Sequence, residues 1–272
     1  MSLVTALGTS LQKKAPALGF WLTLPSAAVA RLLLRSPSLS PTGGFSWVLI
    51  DAEHGLIADH HYYELTTAVA SEGASPIIRV PWGEEWMIKR ALDAGAHGVM
   101  VPMCHNAEDA ARIVGYCKYP PQGSRGYGPM YTPHAFPGIA PGEQYDANAN
   151  KSLLVVVQLE SRSGVENVEK IAAVDGIDVL FIGPFDLAKQ MGVERGGEEH
   201  EAAIARILKA AKGAGKTAAF FCTNGAEAKR RLEQGFDMVS IITDTNILGE
   251  GVTREINAAK GVDAEGKKTS GY

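Results

Sequence analysis

The sequence has few cysteines, no excess of positive charge and no long apolar run, and each absence excludes a class of protein. Its 272 residues contain three cysteines, Cys104, Cys117 and Cys222, without disulfide or zinc spacing, so we expect a reducing, cytoplasmic environment. The net charge of −4 and the pI of 6.0 provide no basic surface for nucleic acid. No stretch approaches the roughly 20 apolar residues that span a bilayer, so no membrane partner is expected.

Several catalytic signatures are also missing. The chain has no GxGxxG or GxxxxGK[ST] phosphate loop and no GxSxG nucleophile elbow. A Schiff-base aldolase needs a lysine near the C-terminal end of a barrel strand, whereas Lys151 and Lys216 precede predicted strands. The remaining candidates for catalysis are carboxylates, an arginine and a histidine.

Short apolar runs alternate with helical patterns along the chain. Continuous Val, Leu and Ile runs bounded by turn residues predict strands buried on both faces of a parallel sheet. Eight strands are predicted, at 18–22, 45–50, 76–80, 98–101, 153–159, 179–182, 217–221 and 238–242. Eight helices are predicted, at 26–35, 59–71, 84–94, 107–116, 164–173, 201–212, 226–234 and 245–259. This order favours a closed (β/α)8 TIM barrel over an open doubly wound sheet.

The predicted barrel occupies residues 1–259 as one domain, although the length also allows two domains. Residues 260–272 are polar and rich in Gly and Lys, and we predict a disordered tail. Residues 119–150 interrupt the alternation with many Gly and Pro residues, which predicts a functional loop or lid. The Arg125-Gly126 pair within this segment has the simpler interpretation of a turn.

Two carboxylates follow neighbouring predicted strands. Glu160 directly follows the fifth strand, and Asp186 comes four residues after the sixth. Either one alone is explained as a helix N-cap or an ion-pair partner. Together, at the same end of adjacent parallel strands, they would repel each other unless a cation or a proton joined them. Oxygen ligands without nearby Cys or His suit a hard divalent ion such as Mg²⁺ or Mn²⁺.

Three more polar residues follow the second and third predicted strands. Asp51 and His54 come after strand two, and Arg79 ends strand three. Barrel enzymes assemble their sites from such strand ends. The alternatives are that His54 is a core or capping histidine and that Arg79 is a structural partner of Asp51 or Glu53. An arginine and a histidine beside a metal are suited to polarising a carbonyl and stabilising an enolate.

Six parts of the sequence resemble one known family. They are WVLIDAEHG (47–55), the strand-end Arg79, KRALDAGAHGVMVPM (89–103), YPPQGSRGYGP (119–129), VVVQLES (155–161) and GIDVLFIGPFDLA (176–188). These segments, in this order, are similar to the HpcH/HpaI aldolase/citrate lyase family of metal-dependent pyruvate aldolases. The resemblance extends from about residue 17 to residue 250 and implies the barrel of the phosphoenolpyruvate/pyruvate superfamily.

The resemblance implies roles for the strand-end residues. Glu160 and Asp186 become the ligands of a divalent ion, which is Mg²⁺, Mn²⁺ or Co²⁺. Arg79 contacts the keto oxygen of pyruvate. His54 becomes the acid/base residue and is paired with Asp51.

The resemblance also implies a substrate pocket and an assembly. Gln158, Gly183 and Pro184 are expected to line the pyruvate pocket, while Asp93 is expected to reach the site of a neighbouring subunit. The implied assembly is a homo-oligomer, a hexamer or a trimer of dimers, that exchanges the final helix. Departures from the family pattern, mainly at 130–151 and 191–199, are expected to shape the acceptor pocket.

The expected activity is that of a carbon–carbon lyase. It cleaves a 4-hydroxy-2-keto acid reversibly into pyruvate and an aldehyde through a metal-bound pyruvate enolate, so the partners are small 2-keto acids and aldehydes. One alternative is oxaloacetate decarboxylation with macrophomate synthase-like trapping of the enolate. Two others are citrate-lyase-like cleavage of a CoA thioester and a non-catalytic barrel that only binds a metabolite.

Overall fold

Eight parallel strands close into a barrel in the computed structural model, which describes residues 3–36, 44–139 and 143–262. Each strand pairs with the next, and β8 returns to β1. The strands are β1 (Ala17–Leu22), β2 (Trp47–Asp51), β3 (Ser75–Arg79), β4 (Gly98–Val101), β5 (Leu154–Leu159), β6 (Val179–Ile182), β7 (Thr217–Phe220) and β8 (Met238–Thr243). The predicted (β/α)8 fold is confirmed. The last ten residues of the predicted tail, 263–272, lie outside the described residues.

Helices precede the barrel and follow its strands. They are α1 (Ala6–Gln12), α2 (Ala27–Arg35), α3 (Tyr62–Ser71), α4 (Glu85–Asp93), α5 (Ala107–Cys117), α6 (Glu143–Ser152), α7 (Arg162–Glu166), α8 (Val168–Ala172), α9 (Pro184–Met191), α10 (Glu198–Gly213), α11 (Gly225–Glu233) and α12 (Asp244–Ala259). Within the described ranges, no helix combines the length and the apolarity needed to cross a membrane.

The strands bury side chains on both faces, as the unbroken apolar runs predict. In β2, Trp47 and Leu49 belong to the cluster inside the barrel, whereas Val48 and Ile50 belong to the cluster that includes the surrounding helices. Gly19 of β1 makes room for the Trp47 ring, because a Cβ at Gly19 would lie 2.2 Å from it. Any side chain at position 19 would therefore displace the central ring of the inner cluster.

The N-terminal end of the barrel is covered by α1. Leu7 belongs to the inner cluster, and its backbone N–H donates to Ser75 Oγ at 2.9 Å. Lys151 and Lys216 border a cavity beside α1, which Leu3 also lines. Both lysines therefore lie at the N-terminal end of the barrel, away from the strand ends that bear catalytic groups in such folds.

Three helical segments differ from the sequence prediction. The predicted loop at 119–150 contains α6, whose Tyr145 and Ala149 are buried in the core. The predicted helix at 164–173 is two short helices that break at Asn167. Pro184 is the first residue of α9, a helix absent from the eight that were predicted, and proline is favoured there because the first helical N–H has no partner.

The segment before α6 is tied to the barrel by a buried histidine. His97 Nε2 donates to Ala135 O at 2.7 Å, and the His97 ring stacks on Phe136 with centroids 4.3 Å apart. His97 Nδ1 is buried and has no hydrogen-bond partner among the described residues. A proton on this nitrogen would therefore be unpaired, and burial lowers the pKa of His97 to about 4.

This histidine predicts a loss of stability in mild acid. Its pKa is lower when folded than when unfolded, so the unfolded chain binds the extra proton first and stability falls as pH drops from about 6.5 towards 4. Between pH 7 and pH 5 the expected loss from this group is about 2 kcal/mol. We expect His97→Gln, which retains a donor for Ala135 O, to lose that much less than the wild type over this range in urea unfolding. Equal losses would contradict the assignment.

Candidate active site

A cavity of about 190 Å³ opens at the C-terminal ends of the strands. Its lining combines polar and aromatic side chains with the glycine and proline that follow β6. These residues are Trp21, His54, Arg79, Gln158, Gly183, Pro184, Phe185, Asp186 and Phe221. Residues from six strand ends and the first turn of α9 therefore meet at one place, as expected for a barrel enzyme.

Arg79 is held in this cavity by two acidic residues. Its Nε and Nη2 donate to the two oxygens of Asp51 at 2.9 and 2.7 Å, and Asp51 and Arg79 are paired in the register of β2 and β3. Arg79 Nη1 lies 2.9 Å from Glu53 Oε2. Burial is the largest single influence and would raise the pKa of Asp51, but the bonds and charge of Arg79, together with the bonds from His54 N–H and Trp21, hold the pKa below its usual value. Arg79 thus remains charged in a buried position.

Asp51 contacts the backbone of His54, whereas the His54 ring lies beside Glu53. The Asp51 carboxylate accepts from Arg79, from Trp21 Nε1 at 3.0 Å and from the backbone N–H of His54 at 3.3 Å. The His54 ring instead lies 3.8 Å from Glu53, from Nε2 to Oε1, and its side chain is 65% exposed. Asp51 therefore positions Arg79, Trp21 and the backbone after β2, while the imidazole faces the open cavity.

Glu160 is buried beneath the cavity and is 2% exposed. Its Oε1 accepts from the backbone N–H of Met103 at 3.0 Å, and its Oε2 accepts from Gln158 Nε2. Met103 has a φ of 55°, a left-handed conformation that is uncommon for a residue other than glycine. This backbone strain turns an N–H towards a carboxylate, as is frequent at functional sites.

Glu160 and Asp186, the two carboxylates that the sequence analysis pairs, lie close enough for their charges to interact. Burial, with a further contribution from the charge of Asp186, raises the pKa of Glu160 to about 7. In the described part of the chain, no three His, Cys, Asp or Glu side chains converge closely enough to hold a metal together. Two carboxylates alone fit a hard ion that keeps several of its positions for water or substrate. A bound cation would also relieve the repulsion between them.

The backbone after β6 fits closely around this pair. A Cβ at Gly183 would lie 2.3 Å from Glu160 Oε2 and 2.6 Å from Gln158 Nε2, so only glycine leaves the carboxylate free. Gln158 Oε1 is buried without a hydrogen-bond partner among the described residues. A glycine cradle and an unsatisfied amide oxygen beside two carboxylates are polar features suited to a bound ligand.

A buried histidine fixes the start of α9. His200 Nδ1 accepts the Gly196 N–H at 3.1 Å, and its Nε2 donates to Pro184 O at 3.0 Å. Burial lowers the pKa of His200, which favours the neutral form that both bonds require. The loop after α9 is thereby tied to the residues that carry Asp186. The isolated sequence position of His200 gave no signal of this role.

Asp93 does not line the cavity. Its Oδ1 accepts from Arg125 Nη2 at 2.7 Å, and the buried Arg125 guanidinium lies 4.4 Å from the centre of the Tyr119 ring. Arg125 is therefore a buried ion-pair partner, which corrects its interpretation as part of a plain turn. Asp93 borders a separate cavity of about 480 Å³ together with Tyr63 and Tyr131. Its contribution to a neighbouring subunit stays a prediction.

The fold and the cavity define a (β/α)8-barrel enzyme with a buried arginine and an acidic pair at its strand ends. The chain is 35% identical to a hydroxypyruvate/pyruvate aldolase of Agrobacterium fabrum, with 97% of both chains covered. It is 34% identical to a 2-keto-3-deoxy-L-rhamnonate aldolase of Klebsiella pneumoniae, with 94% and 93% covered. A crystal structure of an HpcH/HpaI family protein from Burkholderia cenocepacia matches with a TM-score of 0.85 and 33% identity, over 94% and 100% of the two chains.

The model of the HpcH/HpaI aldolase/citrate lyase family matches residues 20–249, and the chain belongs to this family. The resemblance found in the sequence is confirmed. With relatives named as aldolases at this level of identity, the protein is a carbon–carbon lyase. Decarboxylation, CoA thioester cleavage and a non-catalytic barrel are not favoured.

Proposed function

We propose that this protein cleaves a 4-hydroxy-2-keto acid reversibly into pyruvate and an aldehyde. The observation that supports this most is the position of Arg79, a buried guanidinium that lines the cavity beside the acidic pair. Aldol cleavage of such an acid leaves the electrons of the broken C3–C4 bond as an enolate on the pyruvate fragment. A fixed cation in a buried site stabilises that developing charge without reorganisation.

Arg79 has the donors for this role. A guanidinium has five N–H donors; Asp51 accepts one from Nε and one from Nη2, while Glu53 lies 2.9 Å from Nη1 as an ion pair. One further N–H on each of Nη1 and Nη2 is left for the keto oxygen of a substrate. Asp51 prevents the guanidinium from rotating, so the donors keep one direction. This is the preorganisation that electrostatic catalysis requires.

Glu160 and Asp186 would hold the divalent ion on which the family depends. The ion would supply Lewis-acid polarisation of the keto group, and Mg²⁺, Mn²⁺ and Co²⁺ all suit carboxylate ligands. The Met103 N–H and the Gln158 amide orient Glu160, as hydrogen bonds around metal ligands do. Gln158, Gly183 and Pro184 are the proposed walls for the pyruvate part of the substrate.

His54 is the proposed acid/base residue. In cleavage it takes the proton of the C4 hydroxyl, directly or through a water, as the C3–C4 bond breaks and the C4 carbon becomes an aldehyde. In the reverse direction it returns that proton to the new hydroxyl. Its exposed ring at the mouth of the cavity and its proximity to Glu53 support this role.

An assay of pyruvate with short aldehydes tests the proposal. We expect NMR to show a new 4-hydroxy-2-keto acid, whose formation stops with EDTA and resumes with Mg²⁺, Mn²⁺ or Co²⁺. Oxaloacetate decarboxylation without any aldol product would identify a decarboxylase instead. Neither reaction in any metal would contradict both activities.

We further propose that α12 packs against another copy of the chain. Asp244 fixes the start of α12 by accepting from the N–H groups of Thr23 and Leu24, both at 2.8 Å. Further along, Leu248, Val252 and Ile256 recur every four residues and are 46%, 60% and 47% exposed. An exposed apolar stripe on a projecting helix fits the exchanged helix implied by the family resemblance.

The stripe predicts that the protein is oligomeric in solution. We expect light scattering to give a homo-oligomer at micromolar concentration, with Leu248→Glu plus Val252→Glu shifting it to smaller species. Arg254→Glu, on the opposite side of α12, is the matched control and should leave the mass unchanged. A monomeric wild type would contradict the proposal.

A further inference from the structure

Three aromatic rings form a row along the cavity. The Trp21 and Phe221 centroids are 4.7 Å apart, and those of Phe221 and Phe185 are 6.0 Å apart. The row begins beside the catalytic centre, because the guanidinium carbon of Arg79 lies 5.1 Å from the centre of the Trp21 ring. Exposure increases along it, from 4% at Trp21 to 43% at Phe185. The row therefore leads from the reacting groups to the rim.

Both ends of the row are fixed. Trp21 Nε1 donates to Asp51 at 3.0 Å, and the Trp21 ring also packs against Phe181. Phe185 lies in the first turn of α9, and the guanidinium carbon of Arg195 lies 4.3 Å from the centre of its ring. Such a contact is worth about 0.5 to 1 kcal/mol at an exposed site, so it favours one orientation of the half-exposed ring. The row is therefore an apolar surface already formed in the absence of a ligand.

A pyruvate fragment does not account for this surface. The groups proposed to bind it are polar or backbone, whereas the three rings present apolar faces beside them. Ligand pockets typically combine a few polar groups that fix orientation with an apolar wall that receives the rest of the molecule. The part of the substrate left for the row is the group carried by C4, which is the aldehyde after cleavage.

We propose that the row of Trp21, Phe221 and Phe185 is the acceptor subsite, and that it selects aldehydes bearing an apolar, preferably aromatic, group. This rests on the aldol function proposed above. In the addition direction the enolate C3 forms a bond to the aldehyde carbon, the C=O electron pair moves to oxygen, and that oxygen takes a proton. The product is a 4-hydroxy-2-keto acid with the apolar group at C4, and nothing is oxidised or reduced.

A competing explanation is that the positive charge of Arg195 binds the carboxylate of a carboxylated aldehyde. The guanidinium faces the ring of Phe185, and Arg195 does not line the cavity. Among the described residues that line the cavity, Arg79 is the one arginine or lysine, and its remaining N–H donors are assigned to the keto oxygen of the pyruvate part. The geometry thus favours the apolar acceptor, and the two explanations predict opposite preferences.

The first experiment compares acceptors of similar size on the wild-type enzyme with pyruvate and Mg²⁺. Benzaldehyde and hexanal are expected to exceed 4-oxobutanoate by about tenfold in kcat/KM, the discrimination that an apolar pocket commonly provides. A preference for 4-oxobutanoate would overturn the proposal. This comparison needs no variant, so folding of a mutant cannot obscure it.

The second experiment assigns the preference to the row. Phe185→Ala is expected to lower kcat/KM for benzaldehyde about tenfold more than it lowers proton exchange at the methyl group of pyruvate, which involves no acceptor. Phe185→Leu should recover part of the loss, and Phe221→Ala should behave as Phe185→Ala does. Equal losses of proton exchange and of aldol addition in Phe185→Ala would overturn the proposed subsite. A loss of activity in Arg195→Ala that is specific to 4-oxobutanoate would also overturn it.

The proposal and the underlying function fail in different ways. Absence of both methyl proton exchange and addition with every acceptor would contradict the aldolase function itself. Exchange and addition that persist with the reverse acceptor preference would contradict the aromatic subsite alone.

Discussion

Glu160→Gln and Asp186→Asn are each expected to abolish aldol activity and divalent-ion binding while the fold persists. Each variant removes one of two carboxylates, so the remaining one holds an ion only weakly. Loss of residues that merely support metal ligands costs about 10- to 100-fold in affinity, and we expect loss of a ligand to exceed that. Calorimetric titration with Mn²⁺ measures the binding, and thermal melting checks the fold.

The fold should survive because neither substitution creates a cavity or leaves a buried polar group without a partner. A glutamine at position 160 still offers an oxygen to the Met103 N–H, and its amide faces Gln158, whose Oε1 lacks a partner among the described residues. Asp186 is exposed on α9, where asparagine costs little. Both variants therefore test chemistry rather than packing.

Glu53→Gln is the matched control for metal binding. Glu53 is a further carboxylate whose charge interacts with Asp186, and burial raises its pKa above the usual value, with Asp186 contributing to the shift. Its Oε2 lies 2.9 Å from Arg79, so we assign it to the arginine and expect the variant to keep its ion. Retained ion binding in both Glu160→Gln and Asp186→Asn would contradict the assigned ligands.

Most of the barrel was predictable because buried parallel strands have a distinctive composition. Runs such as VVVQL in β5 and VLFI in β6 are apolar on both faces, and turn residues limit them, so the observed ends lie within two residues of those predicted. The helix α6 was missed because its sequence, EQYDANANKS, is largely polar. Its position depends on the burial of Tyr145 and Ala149, which tertiary contacts decide.

The strand-end residues were predictable, and so were Asp51 and Glu53 as the acids that could pair with Arg79, but the geometry of their contacts was not. Parallel strands place their C-terminal ends together, so sequence position alone brought Asp51, Arg79 and Glu160 to one face. The side chain that receives the guanidinium depends on register, and β2 and β3 align Asp51 with Arg79. A one-residue shift would turn one of these side chains to the other face. The positive φ of Met103 likewise depends on the folded chain and has no signature in the sequence.

Arg79 and His54 are expected to differ in the reactions that they support. If Arg79 stabilises the enolate, Arg79→Ala depresses aldol cleavage, oxaloacetate decarboxylation and methyl proton exchange of pyruvate by about 10²- to 10³-fold each, as loss of one preorganised donor does. If His54 serves the C4 hydroxyl, His54→Ala depresses aldol cleavage by about 10²- to 10⁴-fold. Decarboxylation has no such hydroxyl, so its loss should be far smaller.

The experiment on Arg79 needs a control variant because Arg79 also contributes to the stability of the fold. Its removal leaves Asp51 and Glu53 buried without their cation, and breaking a buried pair costs about 3 to 5 kcal/mol of stability. Arg79→Lys retains the charge but loses the fork that binds both oxygens of Asp51. We expect it to be more stable than Arg79→Ala in thermal melting and still defective in all three reactions.

The comparison of losses within each variant decides the assignment. His54 is exposed and its ring makes no hydrogen bond to Asp51, so His54→Ala should melt like the wild type and its kinetic losses reflect catalysis alone. We expect His54→Ala to lose far more aldol activity than decarboxylation activity. In Arg79→Ala and Arg79→Lys we expect the two activities to fall by similar factors. Equal loss of all three reactions in His54→Ala, with ion binding intact, would mean that the imidazole acts on the enolate itself, and Arg79 would then share that task.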